Sequence, residues 1–171
     1  QDMLQVGKHP GKINLTDVDN ALNILKYLDK RPACVIMKHN NPCGAAYGTS
    51  PTEAFLKAFW CDRIAAFGGA VVFTRTVDVE TANAMVPYYF EVICAPDFEG
   101  GAIDILKKWK NVRLLKIGEM QRLHEYKFKR FIDIKCLMDG GLVIQESQPF
   151  KIKGKEDLRP AEATYKGEIY A

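Results

Sequence analysis

The sequence predicts an α/β layered domain with a largely parallel sheet and a C-terminal β-hairpin. Three observations carry this. Short apolar runs at 33–37, 69–74, 92–95 and 112–117 alternate with segments of helical periodicity, the pattern of helices layered on a parallel sheet. The first of these runs is continuous rather than alternating, as in a strand covered on both faces. Finally, Asp139-Gly140-Gly141 separates the apolar runs 132–138 and 142–146, and Asp-Gly between such runs marks a hairpin.

Thr16 with Asp19 three residues on reads as a capping box, with Asp in place of the usual Glu. Val18, Ala21, Leu22, Leu25 and Leu28 follow at helical spacing. Asp17 and Asp19 suit the positive end of that helix's dipole. Pro32 leads into the run Ala33-Cys34-Val35-Ile36-Met37, read as a buried strand, and a polar loop at 38–44 follows it. Ser50-Pro51-Thr52-Glu53 is a helix start with N-cap, first-turn proline and Glu at the box position. Ala54, Phe55, Ala58 and Phe59 form that helix's apolar face. A strand is expected at 69–74, a helix at 78–86, and a strand at 92–95 that Pro96 ends. Ala102, Ile103, Leu106 and Trp109 mark a further helix before the strand at 112–117. Beyond Gln148 the sequence is charged and weakly patterned. Because ligands of parallel sheets sit outside the carboxyl ends of strands, three loops are candidates: 38–44, the stretch after Thr74, and 96–101.

Composition narrows the class. The 171 residues are 47% hydrophobic, enough for one globular core. No run of about 18 apolar residues suggests a membrane span. The net charge of +3 is too small to call for nucleic acid but suits an anionic small ligand. Five cysteines, an odd number with no C-x-x-C pair, indicate neither a disulfide framework nor structural zinc. Free thiols and a cytoplasmic location are the expectation. The opening Gln1-Asp2-Met3-Leu4 has no initiator Met and no signal-peptide character, so the chain is expected to be cut from something longer.

Chemistry concentrates in Lys38-His39-Asn40-Asn41-Pro42-Cys43-Gly44. Two titratable groups of different pKa stand side by side at the exit of a buried strand. Neighbours in an extended chain point opposite ways, so placing both on one ligand needs a bend. Pro42 restricts Asn41 and Gly44 is permissive, which lets this loop supply one. Spacing alone favours a solvated loop with a chance Lys-His pair, the more common situation.

Four ordered segments resemble the AICAR transformylase family, the formyltransferase half of the AICAR formyltransferase/IMP cyclohydrolase proteins of purine (IMP) biosynthesis. Lys38 to Ala46 is similar to that family's K-H-x-N-P-C-G segment. Gly7-Lys8 with Asn14, Asp17, Asp19, Ala21 and Leu22 resembles its opening motif. Asp62-Arg63-Ile64-Ala65-Ala66-Phe67-Gly68-Gly69 resembles D-P-V-S-A-F-G-G, with Arg63 and Ala65 in place of the usual Pro and Ser. Glu91 to Pro96, then 102–115, resembles E-V-I-I-A-P followed by a Lys-rich helix and a strand. The similarity covers about 5–146 and corresponds to the first half of the transformylase domain.

The resemblance implies a three-layer α/β/α, cytidine-deaminase-like fold without zinc, with 1–147 as the first lobe and 148–171 as a charged tail or linker. It implies formyl transfer from 10-formyltetrahydrofolate, a co-substrate, to the 5-amino group of AICAR, by a homodimer with sites at the subunit interface. Lys38 and His39 would be the catalytic pair. Gly7, Lys8, Asn14, Asn41 and Glu91 would bind the nucleotide, and Ile64, Phe67 and Gly68 the folate. The sequence carries neither the family's R-Y-G-x-N-P-H-Q segment nor its oxyanion-stabilising Asn, so the 171 residues are expected to be incomplete for catalysis. The alternative is a non-catalytic module that binds a purine-pathway nucleotide or only dimerises.

Other constellations carry less. Asn41-Pro42-Cys43 faintly resembles the P-C-x-x-C of zinc deaminases, but position 46 is Ala and no H-x-E lies upstream. Lys107, Lys108, Lys110 and Arg113 around Trp109 read as a solvated helix face. His9 and His124 read as surface residues, Gly68-Gly69 as a bend or a ligand contact, and Cys34 and Cys94 as core.

Overall fold

The computed structural model describes residues 2–6 and 9–147. Two compact units divide the chain, Gln1–Tyr126 and Lys127–Ala171.

In the first unit, helix α1 (Lys12–Leu25) begins at an N-cap on Gly11, earlier than the Thr16 start expected from the sequence. The cap signal is Asn14, whose Oδ1 accepts the Gly11 N–H at 3.0 Å. Thr16 is already helical, its hydroxyl turned back to the Ile13 carbonyl at 3.1 Å. Asp17 therefore lies inside the helix and is buried, where the dipole of the first turn no longer explains it.

Six strands form one mixed sheet: β1 (Asp2–Val6), β2 (Ala33–Lys38), β3 (Asn41–Tyr47), β4 (Ala70–Phe73), β5 (Val92–Ala95) and β6 (Arg113–Lys116), in the order β1-β6-β5-β4-β2-β3. Strands β4, β5 and β6 are parallel. Strand β2 runs against both β3 and β4, and β1 against β6. Thus β3, β4, β5 and β6 point one way and β1 and β2 the other.

The largest difference from the sequence expectation is β3, which occupies most of the segment read as a loop. Pro42 and Gly44 read as strand breakers. Pro42 is tolerated because β3 is the sheet edge and the register slips between Ile36 and Met37. Strand β1 was also not anticipated.

Both sheet faces are covered, as the unbroken apolar runs require. Cys34, Ile36, Val71, Phe73, Ile93 and Leu114 pack under α2 (Pro51–Cys61), α3 (Val79–Met85) and α4 (Gly100–Leu106). Val35, Met37, Val72, Cys94 and Leu115 pack under α1 and Met120 of a 3-10 turn, Met120–Tyr126. The expected three-layer arrangement follows directly from this period-two division. Helix α2 starts as read: Ser50 Oγ accepts the Glu53 N–H at 3.2 Å, with Pro51 in the first turn. Phe55 anchors its layer, 5.6 Å from the Phe59 ring and 5.8 Å from that of Phe90.

One reading changes here. Arg113 is not on a solvated helix face; it opens β6, within the strand expected at 112–117, and is 7% exposed, because the helix ends at Leu106. His124 is exposed, as read, and its ring lies 3.1 Å from the buried Asp29 carboxylate.

In the second unit, β7 (Ile132–Cys136) and β8 (Leu142–Glu146) form the expected antiparallel hairpin. Its turn places Gly140 at φ 85°. Ile134 pairs with Ile144, and Cys136 with Leu142, so one hairpin face is apolar and exposed.

Candidate active site

Lys38 ends β2, and the chain reverses into β3 over just two residues. His39 and Asn40 have φ of 54° and 64°, and Lys38 pairs with Asn41 across them. Two consecutive left-handed residues between paired strands make a type I′ hairpin turn. A non-glycine residue holds this conformation at a cost of roughly 1–2 kcal/mol, so the turn must be secured by its neighbours. Asp17 Oδ1 accepts the Asn40 N–H at 2.6 Å. Asn20 Nδ2 donates to Asn40 Oδ1 at 3.0 Å. Asn41 Nδ2 donates to the His39 carbonyl at 3.0 Å. The bend expected after Lys38 therefore exists, but His39 and Asn40 make it. Gly44 lies within β3, buried against α2.

The Lys38 ammonium donates to the Phe67 carbonyl at 2.6 Å. That carbonyl belongs to the turn 62–68, which Asp62 organises by accepting the Ala65 N–H at 2.9 Å. Gly68 follows at φ 73° with open space above it, a conformation that favours glycine. Gly69 is required for another reason: a Cβ there would lie 2.6 Å from the Met37 carbonyl oxygen. Phe67 is 61% exposed and its ring meets Tyr89 at 5.7 Å between centroids. Ile64 projects from the same turn, 81% exposed.

Sheet register brings these residues level with Glu91. Met37 pairs with Ala70 and Ala70 with Val92, so the preceding or following residues Lys38, Gly69 and Glu91 form a row across the sheet end. Two strand spacings separate Lys38 from Glu91, about 10 Å. The Glu91 N–H donates to the Gly69 carbonyl at 3.0 Å. Its carboxylate accepts from Asn14 Nδ2 at 2.9 Å, and the Arg113 guanidinium lies 3.8 Å from the same oxygen, Oε2.

This end of the sheet corrects the expectation about loops. Because β2 runs against β4, its carboxyl end lies beside the amino ends of β4 and β5. The stretch after Thr74 and the loop 96–101 leave the opposite end, away from Lys38. Among the sequence candidates, Lys38, Asn14, Phe67, Gly68 and Glu91 join one chain of contacts with the His39 turn. The Asn41 amide is engaged within the turn, and Ile64 stands free on the surface. Gly7 and Lys8 lie outside the described residues.

The electrostatics around Cys43 disfavour thiol chemistry. Burial, then the Asp62 carboxylate, pushes the Cys43 thiol up from its ordinary value, although Lys38 acts in the other sense. The thiol beside the turn is thus held protonated, the poor nucleophile. Among the described residues, no group of three or more His, Cys, Asp or Glu side chains is placed to hold a metal ion.

Three residues of this constellation were not assigned to it from the sequence: Asp17, Asn20 and Arg113. A signal existed for the first two. Asn14, Asp17 and Asn20 recur every three residues beside the apolar positions 18, 21 and 25, so a polar stripe borders the buried face. Arg113 carried no such signal.

Comparison with known proteins identifies the family and the fold. The family model "AICARFT/IMPCHase bienzyme" matches residues 1–166. The bifunctional purine biosynthesis protein PurH of Thermoanaerobacter sp. (strain X514) is 41% identical over 140 residues, 82% of this chain and 26% of that protein. PurH of Persephonella marina is 43% identical over 141 residues, with the same coverage. The chain therefore spans about a quarter of the length of these relatives. Among solved structures, Acinetobacter baumannii RibD, form 1, shares the fold at a TM-score of 0.51 and 17% identity, covering 64% of this chain and 37% of that one. With a family model matching nearly its whole length and relatives at about two-fifths identity, the chain belongs to the AICARFT/IMPCHase bienzyme family.

Proposed function

We propose that this chain supplies the acid–base face of a formyl-transfer site, moving the formyl group of 10-formyltetrahydrofolate to the 5-amino group of AICAR in purine biosynthesis. The observation that carries the proposal is the Lys38–His39 turn, tied through Phe67, Gly69 and Glu91 into one row at the sheet end.

An aromatic amine is a weak nucleophile. His39 takes its proton as the amine nitrogen bonds to the formyl carbon, the general-base role for which an imidazole is most often used. Lys38 stabilises negative charge on the formyl oxygen and protonates the departing folate nitrogen as its bond to carbon breaks. One Lys38 hydrogen is committed to the Phe67 carbonyl, which fixes the ammonium and leaves two donors for these tasks. Glu91 Oε2 faces Asn14 and Arg113, and its other oxygen serves as acceptor for nucleotide hydroxyls. Asn41, Gly7 and Lys8 complete the nucleotide side, and Ile64, Phe67 and Gly68 form an apolar shelf for folate. In this proposal the protein works in the cytoplasm as a homodimer, without metal, nucleic acid or membrane.

The test is turnover of full-length protein carrying this segment. Lys38→Ala and His39→Ala are each expected to lower formyl transfer by about 10²-fold or more. Near-normal rates in both would overturn the assignment. A second reading, a module that associates without catalysis, draws on the exposed apolar hairpin face formed by Ile132, Ile134, Leu142 and Ile144. The 171 residues alone, incubated with both substrates, separate the two contributions: association without transfer is expected of this segment by itself. Robust tetrahydrofolate release would show that it contains a complete site.

A further inference from the structure

Helix α1 touches both parts of the candidate site. Asn14 reaches Glu91, Asp17 reaches the Asn40 N–H, and Asn20 reaches the Asn40 side chain. Six residues separate Asn14 from Asn20, a rise of about 9 Å along a helix. That is close to the two-strand separation of about 10 Å between Lys38 and Glu91. Asp17 is 4% exposed, and its carboxyl is spent on a backbone N–H in a turn whose two central residues are both left-handed. Backbone held in sparsely populated conformations persists when its surroundings over-determine it, and such positions concentrate at functional sites.

We propose that Asp17, assisted by Asn20, is a positioning residue for His39: it locks the type I′ turn and thereby sets the imidazole relative to Glu91. The inference rests on the assignment of His39 as base. Asn40 is the transmitting element, because its N–H and side chain are both held from α1 while its peptide bond joins it to His39. Asp17 touches no reacting atom in this scheme. It acts by removing freedom from the turn, so its loss lowers the rate of the chemical step more than it weakens binding.

The experiment uses full-length protein with AICAR and 10-formyltetrahydrofolate, and compares Asp17→Ala, Asp17→Asn, Asn20→Ala, His39→Ala and the Asp17→Ala/His39→Ala double variant. Asp17→Ala is expected to lower kcat by about 10- to 100-fold, the scale of a misplaced catalytic group, with both KM values changed by less than about threefold. Asp17→Asn keeps an acceptor oxygen and is expected to recover most of the rate. The double variant is expected to be no slower than His39→Ala alone, since a residue that acts through His39 has nothing left to position. A His39 ring resonance broadened or split in Asp17→Ala, and single in the parent, reports the same loss without reference to activity. If emptying the Asp17 site prevents folding, Asn20→Ala decides: half-buried Asn20 still anchors Asn40, so kcat falls and the His39 resonance broadens. An unchanged kcat in the folded variants, or rate losses that multiply in the double variant, would overturn the inference while leaving His39 as base. Normal turnover in His39→Ala would instead overturn the assignment beneath it.

Discussion

Gly44→Ala tests how the candidate turn is supported. Gly44 lies in β3 with its backbone against α2, where an added Cβ would overlap the Ala58 carbonyl oxygen, 2.8 Å from that carbonyl carbon and 3.0 Å from Cys61 Cβ. The first obstacle is helix backbone, which cannot rotate away as a side chain would. Overpacking of a core costs about 1–3 kcal/mol, and a backbone obstacle places this variant near about 3 kcal/mol. A domain of this size loses about 4 °C in Tm per kcal/mol, so thermal unfolding followed by circular dichroism is expected to shift down by about 10 °C. Strand β3 is also the return arm of the His39 turn, so formyl transfer in the full-length protein should fall with it. Gly100→Ala is the control. Gly100 opens α4 and a Cβ there meets nothing within 4 Å, so it is expected to stabilise by about 0.4–1 kcal/mol. A Gly44→Ala variant that melts within about 2 °C of the parent would refute the close-packing account of β3, given the scaling used here.

Two further predictions concern titratable groups. Burial pushes the Cys94 thiol up to about 12 and the Cys34 thiol well above its ordinary range. Cys61 and Cys136 are exposed and are expected to react with a disulfide reagent at about pH 8, whereas Cys34 and Cys94 react only on unfolding. Labelled Cys94 in the folded chain, found by mass spectrometry, would contradict this. The Glu53 carboxyl is held at about 2 instead of 4.5, first by its hydrogen bond from Lys57 and then by the Thr49 hydroxyl and amide. Its folded pKa is depressed, so its contribution is complete above about pH 4.5 and disappears as pH falls towards about 2. Glu53→Gln should flatten that part of the acid unfolding curve. A Glu53 carboxyl resonance titrating near its ordinary value would count against the Thr49–Lys57 clasp.

The local alphabet made much of the fold legible. Runs such as Ala33 to Met37 are apolar at every position because α2, α3 and α4 cover one sheet face and α1 the other. Ser50-Pro51 and Asp139-Gly140 marked a helix start and a turn through backbone chemistry that needs no tertiary partner. The start of α1 was misplaced because a Gly-Asn cap competes with the more familiar Thr-Asp pattern. Strand β3 was missed because Pro42 and Gly44 are breakers in isolation. An edge position and tight packing on α2 make them acceptable in this strand.

The sequence by itself determined the layered α/β class, the hairpin and the Lys38-His39 pair, since each depends on residues close in the chain. Only the tertiary structure decided which sheet end holds Lys38 and His39. Reversal at His39 and Asn40 turns β2 against β4, so Lys38 stands in a row with Gly69 and Glu91 and away from the loops after Thr74 and Ala95. Local periodicity carries no strand direction, and a contact such as Asn14 with Glu91, 77 residues apart, leaves no mark on either neighbourhood. Arg113 shows the same limit: it reads as one more charge in a basic run until parallel pairing with β5 brings it beside Glu91.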